Sequence, residues 1–164
     1  MYKINDYLVY GKDVCKVEKI EEKKFNNEDY YLLRPLKNKT LKISAPVSDK
    51  ANKIRELISK KELEKLIKKI PEISIITTDD KFIENEYKKL LSTGTHEDLI
   101  KIIKTTYLRN KKRLDNNKKI AEKDKNYFEL AEEYLYNEFS VVLGKNFEET
   151  KDYIINEVIN LETN

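Results

Sequence analysis

Strand-like alternation is confined to residues 4–46, and this confinement constrains the fold more than any other feature of the sequence. Within that stretch, β-branched and aromatic residues alternate with polar ones, and short groups of turn-forming residues separate the runs. The pattern predicts four strands, over residues 7–10, 14–21, 30–36 and 41–45. Pro46 ends the last strand because proline has no N–H to contribute to a ladder. Four short strands with tight turns are typical of a small, strongly bent sheet or barrel.

The chain after Pro46 has the spacing of helices. Apolar residues recur there at intervals of three and four, between capping and helix-breaking residues. We predict a short helical turn over residues 48–54, and then a helix that begins with Ser59 and Glu62 as a capping box. Its buried face is predicted to consist of Leu63, Leu66, Ile67 and Ile70. Pro71 ends this helix.

Four more helices are predicted after an extended segment at residues 71–78. They begin at Asp79 or Asp80, at Thr95, near Lys118 and at Asn146. The helix that Thr95 caps is expected to bury Leu99, Ile102, Ile103, Thr106 and Tyr107. The predicted fold class is therefore α+β, with a small β-barrel followed by a compact all-α body. We divide the chain into residues 1–70, a linker at 71–78 and a helical domain at 79–164.

No constellation of residues typical of an enzyme or a metal site is evident in the sequence. The chain has one histidine, His96, and one cysteine, Cys15, and it has no glycine-rich phosphate loop. We expect His96 to be an exposed polar residue, because a general base needs positioned partners and none is evident. Cys15 falls in a strand and is expected to be a half-buried apolar residue. We therefore predict no catalytic residue, no metal and no cofactor.

The hydropathy of the chain indicates no association with membranes. No apolar run is long enough to span a bilayer. Residues 1–6 lack the apolar core of a signal peptide. We expect a cytoplasmic protein that is a monomer.

Charge is distributed unevenly along the chain, although the net charge is only +3. Residues 1–70 and 101–125 each carry seven more basic than acidic side chains, whereas residues 126–164 carry seven more acidic ones. The densest basic run lies at a predicted helix end and its loop: Arg109, Lys111, Lys112, Arg113, Lys118 and Lys119. Two interpretations stay open, a solvated helix end with favourable cations or a surface that contacts nucleic-acid phosphates. The eleven tyrosines can stack on bases, but their spacing favours core packing.

Eight segments, taken in order along the chain, carry a resemblance to a known family. They are YKINDYLVYG at 2–11, VCKVEKIE at 14–21, DYYLL at 29–33, LKISAPV at 41–47, IRELIS at 54–59, YKKLLS at 87–92, YLRNKK at 107–112 and LYNEF at 135–139. The series resembles the CarD/CdnL family of bacterial transcription regulators. Members of this family have an N-terminal Tudor-like or SH3-like barrel, shared with the polymerase-interacting module of transcription-repair coupling factor, and then a compact helical domain.

The resemblance implies that the protein is a transcription regulator that binds RNA polymerase, and not an enzyme. In the family, the barrel binds the β subunit of the polymerase. The helical domain contacts promoter DNA at the upstream edge of the opened region and stabilises the open complex. By position, the polymerase contacts fall on Lys23, Leu41, Lys42, Ile43, Ser44 and Pro46. An exposed strand there is expected to pair with a polymerase strand, which implies a location at the nucleoid through the polymerase.

The DNA contacts that we predict are Phe82, Lys88, Lys89 and the six residues of the basic run. They are expected to bind the DNA backbone without reading its sequence. Several members of the family insert a tryptophan into the minor groove, but this chain has no tryptophan. Phe82 lies in the matching region. It is either a substitute wedge or, as its helical spacing favours, a core residue.

Two other functions stay open at the level of the sequence. A polymerase- or protein-binding adaptor with little DNA contact would show weak salt dependence of promoter binding. A small enzyme would need a cluster of polar side chains in a cleft, and the sequence does not indicate one. The regulator is therefore the interpretation that we carry forward.

Overall fold

An antiparallel sheet precedes a set of helices in the computed structural model, which describes residues 1–163. The strands are β1 (Tyr7–Tyr10), β2 (Asp13–Phe25), β3 (Glu28–Pro35), β4 (Ile43–Pro46) and β5 (Ile54–Arg55). The helices are α1 (Lys60–Lys69), α2 (Ile83–Thr93), α3 (His96–Asp115), α4 (Glu122–Leu143) and α5 (Phe147–Thr163). Short 3-10 turns at Ile70–Glu72 and Asp80–Phe82 follow α1 and precede α2. The predicted α+β class is confirmed.

The strands lie in the order β4–β3–β2–β1–β5, so β4 and β5 are the two edges of an open sheet. Asn26 and Asn27 both have a positive φ, which makes the β2–β3 connection a two-residue turn whose twist matches that of the strands. Because asparagine tolerates this conformation, pairing continues to Phe25 and Glu28. The hairpin is therefore longer than the predicted strands, which end at residue 21 and begin again at residue 30.

One face of the sheet buries a small core, which consists of Leu8, Cys15, Val17, Tyr31, Leu33 and Ala45. Alternation along β3 places Tyr31 and Leu33 inward. The pairing of β2 with β3 shifts register between Val17 and Lys19, so the regular alternation that we predicted for β2 does not continue past Val17. Cys15 is fully buried rather than half-buried.

The segment at residues 48–54 is not the helical turn that we predicted. The Asp49 carboxylate accepts hydrogen bonds from the backbone N–H groups of Lys53 at 2.8 Å and Ile54 at 3.0 Å. Side-chain hydrogen bonds of this kind stabilise a turn in place of a helix. Ile54 and Arg55 then pair with β1 as the short strand β5.

The five helices share a second core. Leu63, Leu66, Ile67 and Ile70 are buried in it, as predicted. The Ser59 hydroxyl caps α1 by accepting from the backbone N–H of Glu62 at 3.1 Å, and Thr95 caps α3 in the same way. Helix α1 thus packs with the other helices and not in the core of the sheet. The division of the chain at residue 70 stays a prediction.

Two details of the helices differ from prediction. Helix α4 begins at Glu122, because Asn110 Oδ1 accepts from the backbone N–H of Ala121 at 2.9 Å and keeps the preceding residues in a loop. On α3, Tyr107 is 56% exposed, and Thr105 is buried in its place. Thr106 is buried as predicted, and both threonine hydroxyls donate to carbonyls of the preceding turn. Among residues 1–163, no helix is long and apolar enough to cross a membrane.

Candidate functional site

Strand β4 forms a free edge of the sheet at the segment where polymerase contacts were predicted. It pairs only with β3, with Ile43 opposite Leu33 and Ser44 opposite Leu32. An edge strand presents a row of backbone N–H and C=O groups that have no partner in the sheet. This edge can therefore accept another strand.

The end of the β2–β3 hairpin lies beside this edge. Lys24 Nζ donates to Ser44 Oγ at 3.0 Å and pairs with Glu21 at 3.1 Å. Lys23 has a φ of 48°, and its backbone N–H donates to Asp29 Oδ1 at 3.0 Å. The fold therefore brings the predicted residue Lys23 close to β4.

The side chains along the β4 edge differ in exposure. Leu41 is 42% exposed, and Lys42 and Ser44 are exposed. Ile43 and Pro46 are half-buried, and Ile43 packs against the core of the sheet. Phe25, at the end of the neighbouring hairpin, is 62% exposed. Sequence reasoning missed Phe25, although an aromatic residue beside two asparagines was a signal of an exposed ring.

A compact basic surface lies where α3 ends and the loop to α4 begins. It consists of Lys111, Lys112, Arg113, Lys118 and Lys119, which we call the basic tip, and all five are exposed. Arg113 Nε donates to the backbone carbonyl of Lys119 at 2.8 Å, which holds the loop against the helix. Five of the six residues of the basic run are thus exposed around the end of α3 and the loop that follows it.

Arg109, the remaining residue of the run, is half-buried and paired with two carboxylates of the protein. Its Nε donates to Asp124 Oδ2 at 3.1 Å, and its Nη1 donates to Asp80 Oδ1 at 2.9 Å. Asp124 is buried, and its other oxygen accepts from the Tyr87 hydroxyl at 2.7 Å. Burial and this carboxylate raise the pKa of Tyr87. We call these four residues the Arg109 network, and we leave Arg109 out of the DNA contacts proposed below.

Phe82 lies on the surface rather than in the core, which is the opposite of what its helical spacing favoured. It is 49% exposed, and the Lys81 ammonium lies 5.0 Å from its ring centre. Ile83 takes the core position instead and is 2% exposed. The reason is that α2 begins only at Ile83, so Phe82 belongs to the preceding 3-10 turn and points away from the stripe.

Asp80 places Phe82 and the basic tip on the same part of the surface. Asp80 and Phe82 belong to the same 3-10 turn, and the ion pair between Arg109 and Asp80 holds that turn against α3. The hydrogen bond from Arg109 lowers the pKa of Asp80 most, and the charges of Arg113 and Lys112 lower it further. Arg113 follows Arg109 by four residues on α3, so this part of the tip lies about one helical turn from the residue that holds Asp80.

Lys88 and Lys89 are exposed, but they lie farther from the basic tip. Helix α2 runs from Ile83 to Thr93, and Gly94, with a φ of 62°, then turns the chain into the start of α3. Lys88 follows Phe82 by six residues, which is about 9 Å along a helix axis. The structure does not gather these two lysines with the others.

A buried carboxylate joins the sheet to the helices. Glu138 on α4 is 2% exposed. It accepts hydrogen bonds from Arg55 Nη1 at 3.0 Å, from Arg55 Nη2 at 2.8 Å and from the Ile58 N–H at 2.8 Å, and it lies 2.9 Å from His96 Nε2. We call this cluster the Glu138 junction. The expectation of an exposed His96 was wrong, because its partner lies on a distant helix.

The charge of Glu138 is stabilised in this cluster. Burial raises its pKa, but the hydrogen bonds from His96, Arg55 and the Ile58 backbone outweigh burial and lower the pKa to about 2. Glu132, another buried glutamate of α4, pairs with Lys151 at 3.1 Å, and burial raises its pKa. Only the ionised form of Glu138 therefore holds β5, the start of α1 and the start of α3 together. An acidic residue on an otherwise apolar helix face was the only sign of this cluster in the sequence.

Within residues 1–163, the structure contains no group of three or more side chains that could hold a metal ion. A comparison with models of known protein families found no match, and a comparison with curated proteins found no relative.

Proposed function

We propose that this protein is a transcription regulator that binds the β subunit of RNA polymerase through its sheet and contacts promoter DNA through its helices. The observation that carries the proposal is that one chain has both a free edge strand, β4, and a separate exposed basic tip. The resemblance to the CarD/CdnL family assigns polymerase binding to the first surface and DNA contact to the second. We further propose that the open sheet is the Tudor-like module of that family.

The polymerase arm is proposed to act by strand addition. A polymerase strand pairs with the unpartnered backbone groups of β4, so the main-chain hydrogen bonds supply affinity and the side chains supply specificity. Leu41, which precedes that edge strand, is an exposed apolar side chain, and Phe25 is another at the tip of the β2–β3 hairpin. Pro46 limits the pairing at the end of the strand, because it has no N–H to donate.

A matched pair of exposed apolar residues tests this arm. Leu41→Glu is expected to weaken binding to the purified β subunit about tenfold or more, since burying an aliphatic side chain contributes about 1.5–3 kcal/mol. Ile4→Glu is the control, because Ile4 is 53% exposed and precedes β1 rather than β4. Calorimetry on the full chain measures both affinities. Equal losses in the two variants, or no binding by the unmodified chain, would contradict the assignment.

The DNA arm is proposed to act through backbone contacts and one aromatic side chain. The cations of the basic tip neutralise phosphates and release condensed counterions, so they orient the protein without reading sequence. Phe82 belongs to the turn that Arg109 holds against α3 and presents an exposed ring, and apolar rings inserted at a base step unstack it. Stabilising an unstacked step at the edge of the opened region favours the open complex.

Charge reversal at the tip tests this arm. Lys112, Lys118 and Lys119 are changed to glutamate together, and Arg113 is left in place because it ties the loop to α3. The dependence of log affinity for promoter DNA on log salt is expected to flatten by about 0.9 for each lost contact. The control changes three exposed lysines of α1 to glutamate: Lys60, Lys61 and Lys68.

A second candidate function is a polymerase-binding adaptor with little DNA contact. One observation favours it: the guanidinium of Arg109, the first residue of the basic run, is occupied by two carboxylates. If the tip variant binds promoter DNA with the same salt slope as the control and still binds the β subunit, the adaptor is the correct function.

A further inference from the structure

The Arg109 network runs from the core of the helices to the surface and ends beside Phe82. Tyr87 and Asp124 are 0% and 1% exposed, so the inner end is fixed by the core. The Asp80 side chain at the outer end is 85% exposed. Arg109 bridges the two carboxylates, and it comes from α3, one turn before the basic tip.

The position of Arg109 is determined by its inner partner. A buried carboxylate is strongly destabilising unless cations and hydrogen-bond donors surround it. Asp124 has Arg109 Nε and the Tyr87 hydroxyl as such partners, at 3.1 and 2.7 Å. The guanidinium is planar and rigid, so fixing Nε also fixes the direction of Nη1. Arg109 therefore offers Asp80 a donor at a defined place.

The turn that bears Phe82 has little stability of its own. It is a 3-10 turn of three residues, and the side chain of Asp79 makes no capping hydrogen bond. The turn is attached on one side by Ile83, which is buried in the core, and on the other by the contact of Asp80 with Arg109. Phe82 lies between these two attachments.

We propose that Asp80 is a positioning residue, whose contact with Arg109 fixes the Asp80–Phe82 turn so that the Phe82 ring projects beside the basic tip toward promoter DNA. The DNA contact rests on the proposed function, whereas the fixing of the turn does not. A ring held in its bound orientation loses less conformational entropy on binding. An acidic residue at this place then increases DNA affinity, although its charge alone repels phosphate.

The opposing sign of those two effects allows a test with a matched control. By charge alone, Asp80→Asn and Asp79→Asn remove the same repulsion and strengthen DNA binding equally. If Asp80 positions Phe82, only Asp80→Asn weakens binding. Both carboxylates are exposed, and Asp79 makes no capping hydrogen bond to the turn, so neither change disturbs the core.

The fixing of the turn is measured first, on the full chain without DNA. The chain has no tryptophan, so Phe82→Trp introduces a single indole at the proposed site, and this indole can be excited selectively over the eleven tyrosines. We expect Asp80→Asn to lower the fluorescence anisotropy of this indole and Asp79→Asn to leave it unchanged. Equal anisotropy in the two backgrounds would overturn the positioning role, whatever the chain binds.

Promoter binding is measured second, with Phe82 in place. Asp80→Asn is expected to weaken affinity about twofold to tenfold relative to Asp79→Asn, the range that ordering one side chain contributes. This difference in promoter affinity between Asp80→Asn and Asp79→Asn should vanish when each change is combined with Phe82→Ala. A difference that persists without Phe82 would overturn the inference. Lowered anisotropy together with no binding of promoter DNA by any variant would support the positioning of the ring and overturn the proposed DNA contact.

Discussion

Glu138→Gln is expected to lower the free energy of unfolding at pH 7 by about 3 kcal/mol. Four nitrogen atoms lie within hydrogen-bond distance of the carboxylate, from Arg55, Ile58 and His96. An amide of the same size has one acceptor oxygen, and it directs an NH₂ group at the other donors. At least one charged donor of the Glu138 junction therefore loses its partner.

The magnitude follows from the pKa of the carboxyl group. The junction lowers it from an ordinary 4.5 to about 2. One pH unit corresponds to about 1.4 kcal/mol, so the folded state favours the ionised form by about 3 kcal/mol. Breaking a buried ion pair costs roughly 3–5 kcal/mol, and the lower end applies because the Arg55 side chain is 45% exposed and can return to water. For a chain of this length, the melting temperature should fall by roughly 6–12 °C.

The loss should depend on pH in a defined direction. Because the pKa of Glu138 is lower in the folded chain than in the unfolded one, its stabilisation is present above about pH 4.5 and disappears as the pH falls toward 2. The difference in unfolding free energy between the unmodified chain and Glu138→Gln should therefore be largest near neutral pH. It should shrink steadily below pH 4.5.

Urea unfolding followed by circular dichroism measures this difference across the pH range. Glu132→Gln is the control, because Glu132 is also buried on α4 but its pKa is raised by burial. Folding favours the neutral form of that group, so its neutralisation should cost little or stabilise the chain. Equal losses in the two variants, or a loss at Glu138 that does not vary with pH, would refute the reasoning.

Two further predictions concern the helices. Tyr87→Phe should destabilise the chain by about 1–3 kcal/mol in thermal unfolding, since buried Asp124 loses a hydrogen-bond donor. Tyr127→Phe is the control and should cost less, because Tyr127 is only half-buried. An equal cost in the two variants would contradict the importance of the Arg109 network. Gly94→Ala and Gly144→Ala should each cost about 1–2 kcal/mol, because both positions have a φ above 60°. Gly94→Ala should cost more, since its Cβ would lie 3.3 Å from the backbone carbonyl oxygen of Leu91 whereas a Cβ at Gly144 would meet no atom within 4 Å, and the reverse order would contradict this geometry.

Features that depend on neighbouring residues were predictable from the sequence. Ser59 and Thr95 cap helices through backbone groups three residues away, and Gly94 and Gly144 adopt the left-handed conformation at helix ends. The apolar stripe of α1 is buried because its spacing already matches the helical period. The clustering of the basic tip followed from its short span in the chain.

Features that depend on distant residues were not predictable. His96 is half-buried because Glu138, 42 residues later, reaches it across the fold. Arg109 is occupied because two carboxylates, 15 and 29 residues away, meet at its guanidinium. Phe82 is exposed because the start of α2 at Ile83 sets the phase of the stripe, and a shift of one residue moves a side chain by about 100°.

The lifetime of promoter open complexes tests the proposed function most directly. RNA polymerase forms the complexes with or without saturating full-length chain, and their decay is followed after a competitor is added. We expect the unmodified chain to lengthen the lifetime, and the combined change of Lys112, Lys118 and Lys119 to glutamate to abolish this effect while binding to the β subunit persists. The control change of Lys60, Lys61 and Lys68 on α1 to glutamate should leave the lengthening of the lifetime intact. A lifetime that the unmodified chain does not alter while it is bound to the polymerase would contradict the proposal.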